Sequence, residues 1–126
     1  MQLTLESPHG ANTVAAVERD RLKVAGQWLT GNLIISADSV HSDWPARSAA
    51  TLQWEHVAPM VAMEPEIILI GSGATLSFAP PAVAAAVLGR GIGFEVMDTA
   101  AACRTFNILV AEQRRAVAGI VQSPID

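Results

Sequence analysis

The sequence predicts a mixed α/β (α+β) fold, a single domain in which antiparallel strands precede a β-α-β-α-β half. With 126 residues, 51% of them hydrophobic, the chain is long enough for one core and too short for two. Short apolar runs separated by turn residues fill the first half, and apolar strands alternate with helix-length segments in the second. We expect one domain over 1–126, with mainly antiparallel β over 1–64 and β-α-β-α-β over 65–121.

The first half is predicted to form antiparallel strands. Residues 13–17 and 22–25 are apolar-rich runs on either side of the charged tetrapeptide 18–21, as in a β-hairpin. Residues 32–37 follow a second turn signal and suit a well-buried strand. We expect three or more strands to pair here. A short helix should follow, with one face formed by Leu52, His56, Val57 and Met60.

The second half is predicted from stronger local signals. The continuous apolar run 67–70 is typical of a parallel strand that is buried on both faces. Pro80 and Pro81 favour a helix start, because the first-turn N–H groups have no helical partner, and the glycines at 89–91 end that helix. A strand at 92–97, a helix from Asp98 to about Glu112 and a strand at 116–121 complete the prediction.

Composition excludes several classes of protein. The formal net charge of −4 and the pI of about 5.2 argue against nucleic-acid binding. The single cysteine, Cys103, excludes an internal disulfide and favours a reducing compartment. The first eight residues lack the pattern of a secretory signal, and the apolar stretches are too short to span a membrane. We therefore expect a cytoplasmic protein.

A first candidate binding element is the turn Gly71-Ser72-Gly73, which follows a predicted strand. Small residues at such a place let backbone N–H groups approach a phosphate or carboxylate. A dinucleotide fingerprint would need Gly or Ala where Leu76 stands, and no Walker lysine follows. A tight turn with a purely conformational role is the alternative that we favour.

A second candidate element begins where the next predicted strand ends, the place at which open α/β sheets bind ligands. Cys103 lies near a predicted helix start, where the dipole and Arg104 would favour a thiolate, but a buried inert thiol is the better interpretation. The histidines His9, His41 and His56 have neither the spacing of a metal site nor a recognisable relation to Cys103. We expect no metal, no cofactor and no catalytic residue. The candidate ligand-binding residues are Gly71, Ser72, Gly73, Asp98, Thr99, Cys103, Arg104, Thr105 and Asn107.

The run 68–73, the run 91–99 and the segment 102–109 together resemble a small domain family of unknown function first structured in a methanogen. Its relatives include a mitochondrial assembly factor for NADH:ubiquinone oxidoreductase (complex I) and an adipogenesis-associated protein. The family commonly carries Thr where Ser72 stands and Tyr where Phe106 stands. The resemblance implies a three-layer β/β/α domain without established catalytic activity. The matching positions are Gly71, Gly73, Met97, Asp98, Thr99, Thr105, Asn107 and Arg114.

Two functional hypotheses follow from these residues and this resemblance. The first is a non-enzymatic interaction or assembly module that binds an unidentified protein partner through an apolar surface patch, with a homo-oligomer as one way to cover it. The second is a protein or enzyme that binds a small anionic ligand between the Gly71–Gly73 turn and the Asp98–Asn107 helix start. In that case Arg104 would supply the positive charge and Asn107 the orientation.

Overall fold

The computed structural model describes residues 10–124. His9 and the first eight residues, on which the expectation about a secretory signal depends, lie outside the described residues. The described chain forms strands and helices in the order β1 (Val14–Val17), β2 (Arg21–Val24), β3 (Gln27–Thr30), β4 (Leu33–Ser36), β5 (Val40–His41), α1 (Trp54–Val61), β6 (Ile67–Gly71), α2 (Pro81–Leu88), β7 (Gly93–Met97), α3 (Thr99–Ala111) and β8 (Ala116–Ile120).

The strands form two sheets. Strands β1, β2 and β3 make an antiparallel sheet in that order. The other five make a mixed sheet in the order β5-β4-β8-β6-β7, in which β6 runs parallel to both β8 and β7, and β4 runs antiparallel to β8. The mixed α/β fold with an antiparallel first part is therefore confirmed.

The first half differs from the prediction in how its strands pair. The hairpin of β1 and β2 forms as expected, although Arg21 belongs to β2 and not to the turn. The third strand of that sheet is β3, which the sequence analysis missed, because its exposed edge position gives it no apolar run. The predicted strand at 32–37 is β4, and it does not pair with the hairpin. It is buried on both faces and joins β8 in the larger sheet.

The second half follows the predicted order of elements. Helix α2 begins at Pro81 and ends before Gly89, and α3 begins after Asp98, whose Oδ1 accepts the Ala101 N–H at 2.9 Å. Helix α1 also forms, with Val57 and Met60 buried. No helix among residues 10–124 has the length and apolar character needed to cross a membrane.

The mixed sheet separates two apolar clusters. One cluster joins α3 and the three-stranded sheet to one face, where Phe106, Leu22 and Leu69 are fully buried. The other joins α1 and α2 to the opposite face, where Val87, Ile68 and Ile70 meet. Alternate residues of the same strands thus enter different clusters, as the period of a strand requires. The layers are a helix pair, the five-stranded sheet, and the small sheet beside α3.

One ionic contact fixes the starts of β6 and β8. The backbone N–H of Arg115 donates to Glu66 Oε2 at 2.8 Å, and Arg114 Nε lies 3.8 Å from Glu66 Oε1. The Arg115 hydrogen bond, helped by the charges of both arginines, lowers the pKa of Glu66 below its usual value. Arg114, one of the positions that carry the family resemblance, therefore has a structural contact.

Candidate functional site

The carboxyl ends of β6, β7 and β8 meet at the start of α3. Gly71 ends β6, and a Cβ atom there would lie 2.9 Å from Thr99 Oγ1 and 3.1 Å from Thr99 Cα. A side chain at this position would therefore push the helix away from the strand. Gly73 has a φ of 108°, a conformation that favours glycine. Both glycines thus allow α3 to begin in direct contact with the end of β6.

Thr99 binds two of these segments through one hydroxyl group. Its Oγ1 accepts the N–H of Gly73 at 2.9 Å and donates to the carbonyl oxygen of Val121 at 2.7 Å. Its own N–H donates to the Gly73 carbonyl at 2.8 Å. Because Thr99 is buried, these bonds satisfy groups that water does not reach. Thr99 connects the segments that follow β6, β7 and β8.

The polar groups of Ser72, at the same corner, also have internal partners. Ser72 is buried, its N–H donates to the Met97 carbonyl at 2.8 Å, and its hydroxyl donates to the Thr75 carbonyl at 2.7 Å. The same hydroxyl accepts the Ser77 N–H at 3.1 Å. These contacts shape the loop between β6 and α2. The backbone N–H groups of Ser72 and Gly73 were predicted to be available to an anion. Both instead donate hydrogen bonds to other groups of the protein.

The predicted residues along α3 do not all reach this corner. Asn107 lies eight residues after Thr99, about 12 Å along the helix. Its side-chain amide donates to the Val14 carbonyl and accepts the Val14 N–H, each at 2.8 Å, so it holds β1 against α3. Thr105 donates to Met97 Sδ at 3.4 Å, and Arg104 is exposed. The structure brings Gly71, Ser72, Gly73, Asp98 and Thr99 together, and it places Arg104, Thr105 and Asn107 elsewhere.

Cys103 lies in the apolar cluster beneath α3. Its side chain is only 2% exposed. Burial raises the pKa of the thiol to about 12, and the nearby charge of Arg104 offsets this effect only in part. The group is therefore protonated at neutral pH, which does not favour nucleophilic chemistry. This matches the inert thiol that the sequence analysis preferred.

A small cavity of about 190 Å³ opens at the start of α3. Gly73, Asp98 and Thr99, three of the candidate ligand-binding residues, line it. The remaining lining residues were not predicted. Gln122 could have been found, because it is a polar residue just after a buried strand, whereas the hairpin residues come from a distant part of the chain. These additional residues are Val17, Glu18, Arg19, Ala74, Ala100 and Gln122.

A second surface feature is the apolar stretch formed by α2 and the loop before it. The sequence from Ile67 to Gly89 contains no acidic, basic or histidine residue. Within it, Leu76, Phe78 and Leu88 are 52%, 70% and 53% exposed. Pro81, Ala85 and Leu88 lie along one exposed side of α2, at i, i+4 and i+7, and exposed apolar residues of this kind are typical of interaction sites. We call this region, defined by Leu76, Phe78, Pro81, Ala82, Ala85 and Leu88, the α2 surface.

Comparison with known proteins identifies a family model and several relatives that are similar to this chain. The sequence model of the family described as "Protein of unknown function (DUF498/DUF598)" matches residues 14–121. NADH dehydrogenase (ubiquinone) 1 alpha subcomplex assembly factor 3 of Xenopus tropicalis is 28% identical over 123 residues, covering 86% of this chain and 67% of that protein. The Danio rerio protein of the same name is 34% identical over 83 residues, covering 64% of this chain and 48% of that protein. The chain spans about half to two thirds of these relatives.

Solved structures agree with the fold. The NMR structure of a Xanthomonas campestris protein has a TM-score of 0.82 and 35% identity, covering 100% of this chain and 96% of that chain. The NMR structure of a Mth938-like domain from Bordetella pertussis has a TM-score of 0.79 and 25% identity, covering 98% and 94%. The resemblance predicted from the second-half motifs is confirmed. The chain belongs to the DUF498/DUF598 family of proteins of unknown function.

Proposed function

We propose that this protein is a non-catalytic interaction module that takes part in the assembly of a larger protein complex. The observation that carries the proposal is the α2 surface, where Phe78 is 70% exposed within a stretch of sequence, Ile67 to Gly89, that contains no charged residue. Burying such side chains against a partner is favourable, whereas exposing them to water has no stabilising role in the monomer. The name of the assembly-factor relatives supports the same role.

The polar corner at the start of α3 supports an architectural role for the residues that the sequence analysis selected. Thr99, Ser72 and Asp98 use their side chains to bind the backbone of neighbouring segments. Cys103 is buried and protonated. The hydroxyl groups of Ser72 and Thr99 are bonded to backbone groups and the Cys103 thiol is buried, so none of them is presented to a substrate as a nucleophile. The hydrogen bonds of Ser72, Asp98 and Thr99 hold the loop after β6, the segment after β8 and the start of α3 in position.

The alternative hypothesis of a small anionic ligand has less support. Arg104, which was to supply the positive charge, is not among the residues that line the small cavity. Asn107, which was to orient the ligand, is bonded to Val14. Arg19 lines the cavity, but so do Glu18 and Asp98, so the lining carries no excess of positive charge. We therefore adopt the interaction module as the proposed function.

We also propose that the protein acts in the cytoplasm and that its partner is a protein and not a nucleic acid. The net charge of −4 disfavours a phosphate backbone, and the free Cys103 suits a reducing environment. Homo-oligomers are a common way to cover an apolar surface. Two copies of this chain would each carry a net charge of −4 and repel each other, so we favour a different protein as the partner.

Affinity capture from the native host with matched variants tests this function. Phe78→Ser and Leu88→Ser alter the α2 surface, and Trp28→Ser alters an exposed side chain on the three-stranded sheet as a control. We expect the same partner to be recovered with the wild-type and Trp28→Ser proteins and lost with the two α2-surface variants. Equal recovery with all four proteins, or no recovery above background, would overturn the proposal. Circular dichroism of each variant confirms that it is folded.

A further inference from the structure

Strand β7 leaves one edge of the mixed sheet open. It is the last strand in the order β5-β4-β8-β6-β7, and no strand within residues 10–124 pairs with its outer side. The opposite edge strand, β5, has only two residues, whereas β7 has five. Proteins usually protect a long open edge with proline, lysine or a bulge. Strand β7 contains neither residue, and its register with β6 is continuous from Gly93 to Met97.

The hydrogen bonds to β6 identify the backbone groups that face outward. The Gly93 N–H donates to the Glu66 carbonyl, and the Met97 carbonyl accepts the Ser72 N–H. Residues 93, 95 and 97 therefore direct their backbone groups toward β6. Because successive residues of a strand direct these groups to opposite edges, Phe94 and Val96 present their N–H and carbonyl groups at the open edge. These four groups are those that an added strand would pair with.

The two faces of β7 differ in chemistry beside this edge. Phe94 and Val96 are half-buried and pack against the apolar cluster beneath α1 and α2. Glu95 lies on the other face and is exposed. On that face Thr105 contacts Met97, and the same stripe of α3 carries Ile108, which is 59% exposed, and Glu112. One face is therefore apolar, and the other carries the exposed carboxylate of Glu95.

We propose that the open edge of β7 binds an extended segment of a partner protein in which apolar and basic residues alternate, so that it becomes a sixth strand of the sheet. The apolar side chains of that segment would pack beside Phe94 and Val96, and the basic ones would lie opposite Glu95. A second copy of the chain fits less well, since it would bring another net charge of −4 and another Glu95 to the same edge. This inference rests on the proposed function and names the chemistry of the partner.

A pair of peptides tests the inference with the full chain. The probes are a blocked six-residue peptide that alternates valine with lysine and its counterpart that alternates valine with glutamate. We expect the lysine peptide to shift the amide NMR signals of Phe94 and Val96 and to slow their hydrogen exchange, with weaker binding of the glutamate peptide. No change at these two amides, or equal binding of both peptides, would overturn the inference. Sedimentation that detects a dimer through β7 in the absence of peptide would also overturn it.

Two substitutions distinguish the contribution of backbone pairing along β7 from that of the Glu95 charge. Val96→Pro removes an outward N–H and keeps the N–H groups that face β6, so peptide binding should be lost. Glu95→Lys keeps every backbone group, and it should weaken lysine-peptide binding by about threefold and strengthen glutamate-peptide binding. Unchanged binding in Glu95→Lys contradicts the inference even if Val96→Pro does not fold. If Phe78→Ser abolishes partner capture while both β7 variants retain it, the interaction function stands and strand addition is wrong.

Discussion

At the level of single residues, Thr99 shows how a polar side chain at a strand end serves the fold. Replacing Thr99 with Val keeps the branched shape and removes the hydroxyl, which leaves the Gly73 N–H and the Val121 carbonyl without this partner. We expect Thr99→Val to lower the free energy of unfolding by about 1–3 kcal/mol, since buried polar groups lose their hydrogen bonds. Urea denaturation measures this change.

Thr105→Val is the matched control for that substitution. Thr105 is half-buried, and its hydroxyl bonds only to Met97 Sδ at 3.4 Å among the described contacts. We expect a change of less than about 0.5 kcal/mol. Equal losses in the two variants would contradict the role of Thr99.

The buried thiol of Cys103 has consequences for reactivity and pH. Because it is 2% exposed and protonated, a thiol reagent at pH 8 should not modify the folded protein, and it should react rapidly in urea. The folded pKa of about 12 lies above the usual 9.0, so the thiol favours the folded state below pH 9 and this contribution is lost as pH rises toward 12. Cys103→Ala should remove that part of the alkaline destabilisation, as thermal unfolding across pH 8 to 11 measures. Fast labelling without denaturant would contradict the buried position.

At the level of elements, the three-stranded sheet is attached to α3 by Asn107. Its amide forms two hydrogen bonds with the backbone of Val14 in β1. Asn107→Ala removes both, so we expect hydrogen exchange to become faster in β1 and β2 while the mixed sheet changes less. Arg104→Ala, which alters an exposed residue of the same helix, is the control and should leave these amides unchanged. Uniform acceleration across both sheets would show that Asn107 acts on global stability.

The elements differ in how far the sequence determines them. Helices α2 and α3 could be predicted because their signals are local, namely Pro81 at one start and Asp98 at the other. The sheet to which β4 belongs could not be predicted, since its partner β8 lies far along the chain. Strand β3 gave no signal because its side chains remain largely exposed.

The candidate site was predictable only in part, for the same reason. The carboxyl ends of parallel strands meet at one edge of a sheet. On this basis the sequence correctly predicted that Gly73 lies next to Asp98 and Thr99. It did not specify what those groups bond to. The contact of Asn107 with Val14 joins residues that are distant in sequence, and no motif in the sequence encodes it.

At the level of the whole molecule, the two apolar clusters share one sheet. Ile68 and Ile70 enter the cluster beneath α1 and α2, whereas Leu69 enters the cluster beneath α3. The same strands line both clusters, so unfolding of these strands would disrupt both clusters at once. We expect one cooperative unfolding transition.

Two probes, one in each cluster, test this expectation. Trp44 is buried on the α1 side, and its fluorescence can be isolated in a variant carrying Trp28→Phe and Trp54→Phe. Labelling of Cys103 reports the α3 side. The urea midpoints of the two signals should coincide, because each cluster depends on the same strands. Separate midpoints would mean that the chain unfolds in two units.

The position of β8 in the sheet also bears on how the protein is made. Ribosomes release a chain from its amino end, and β8 is the last of the described strands to emerge, yet it lies between β4 and β6. Until then β4 and β6 have no common neighbour, and their apolar side chains remain without a finished core. The nascent protein therefore completes its central sheet only late in translation, and during that interval a chaperone that shields apolar strands would protect it from aggregation.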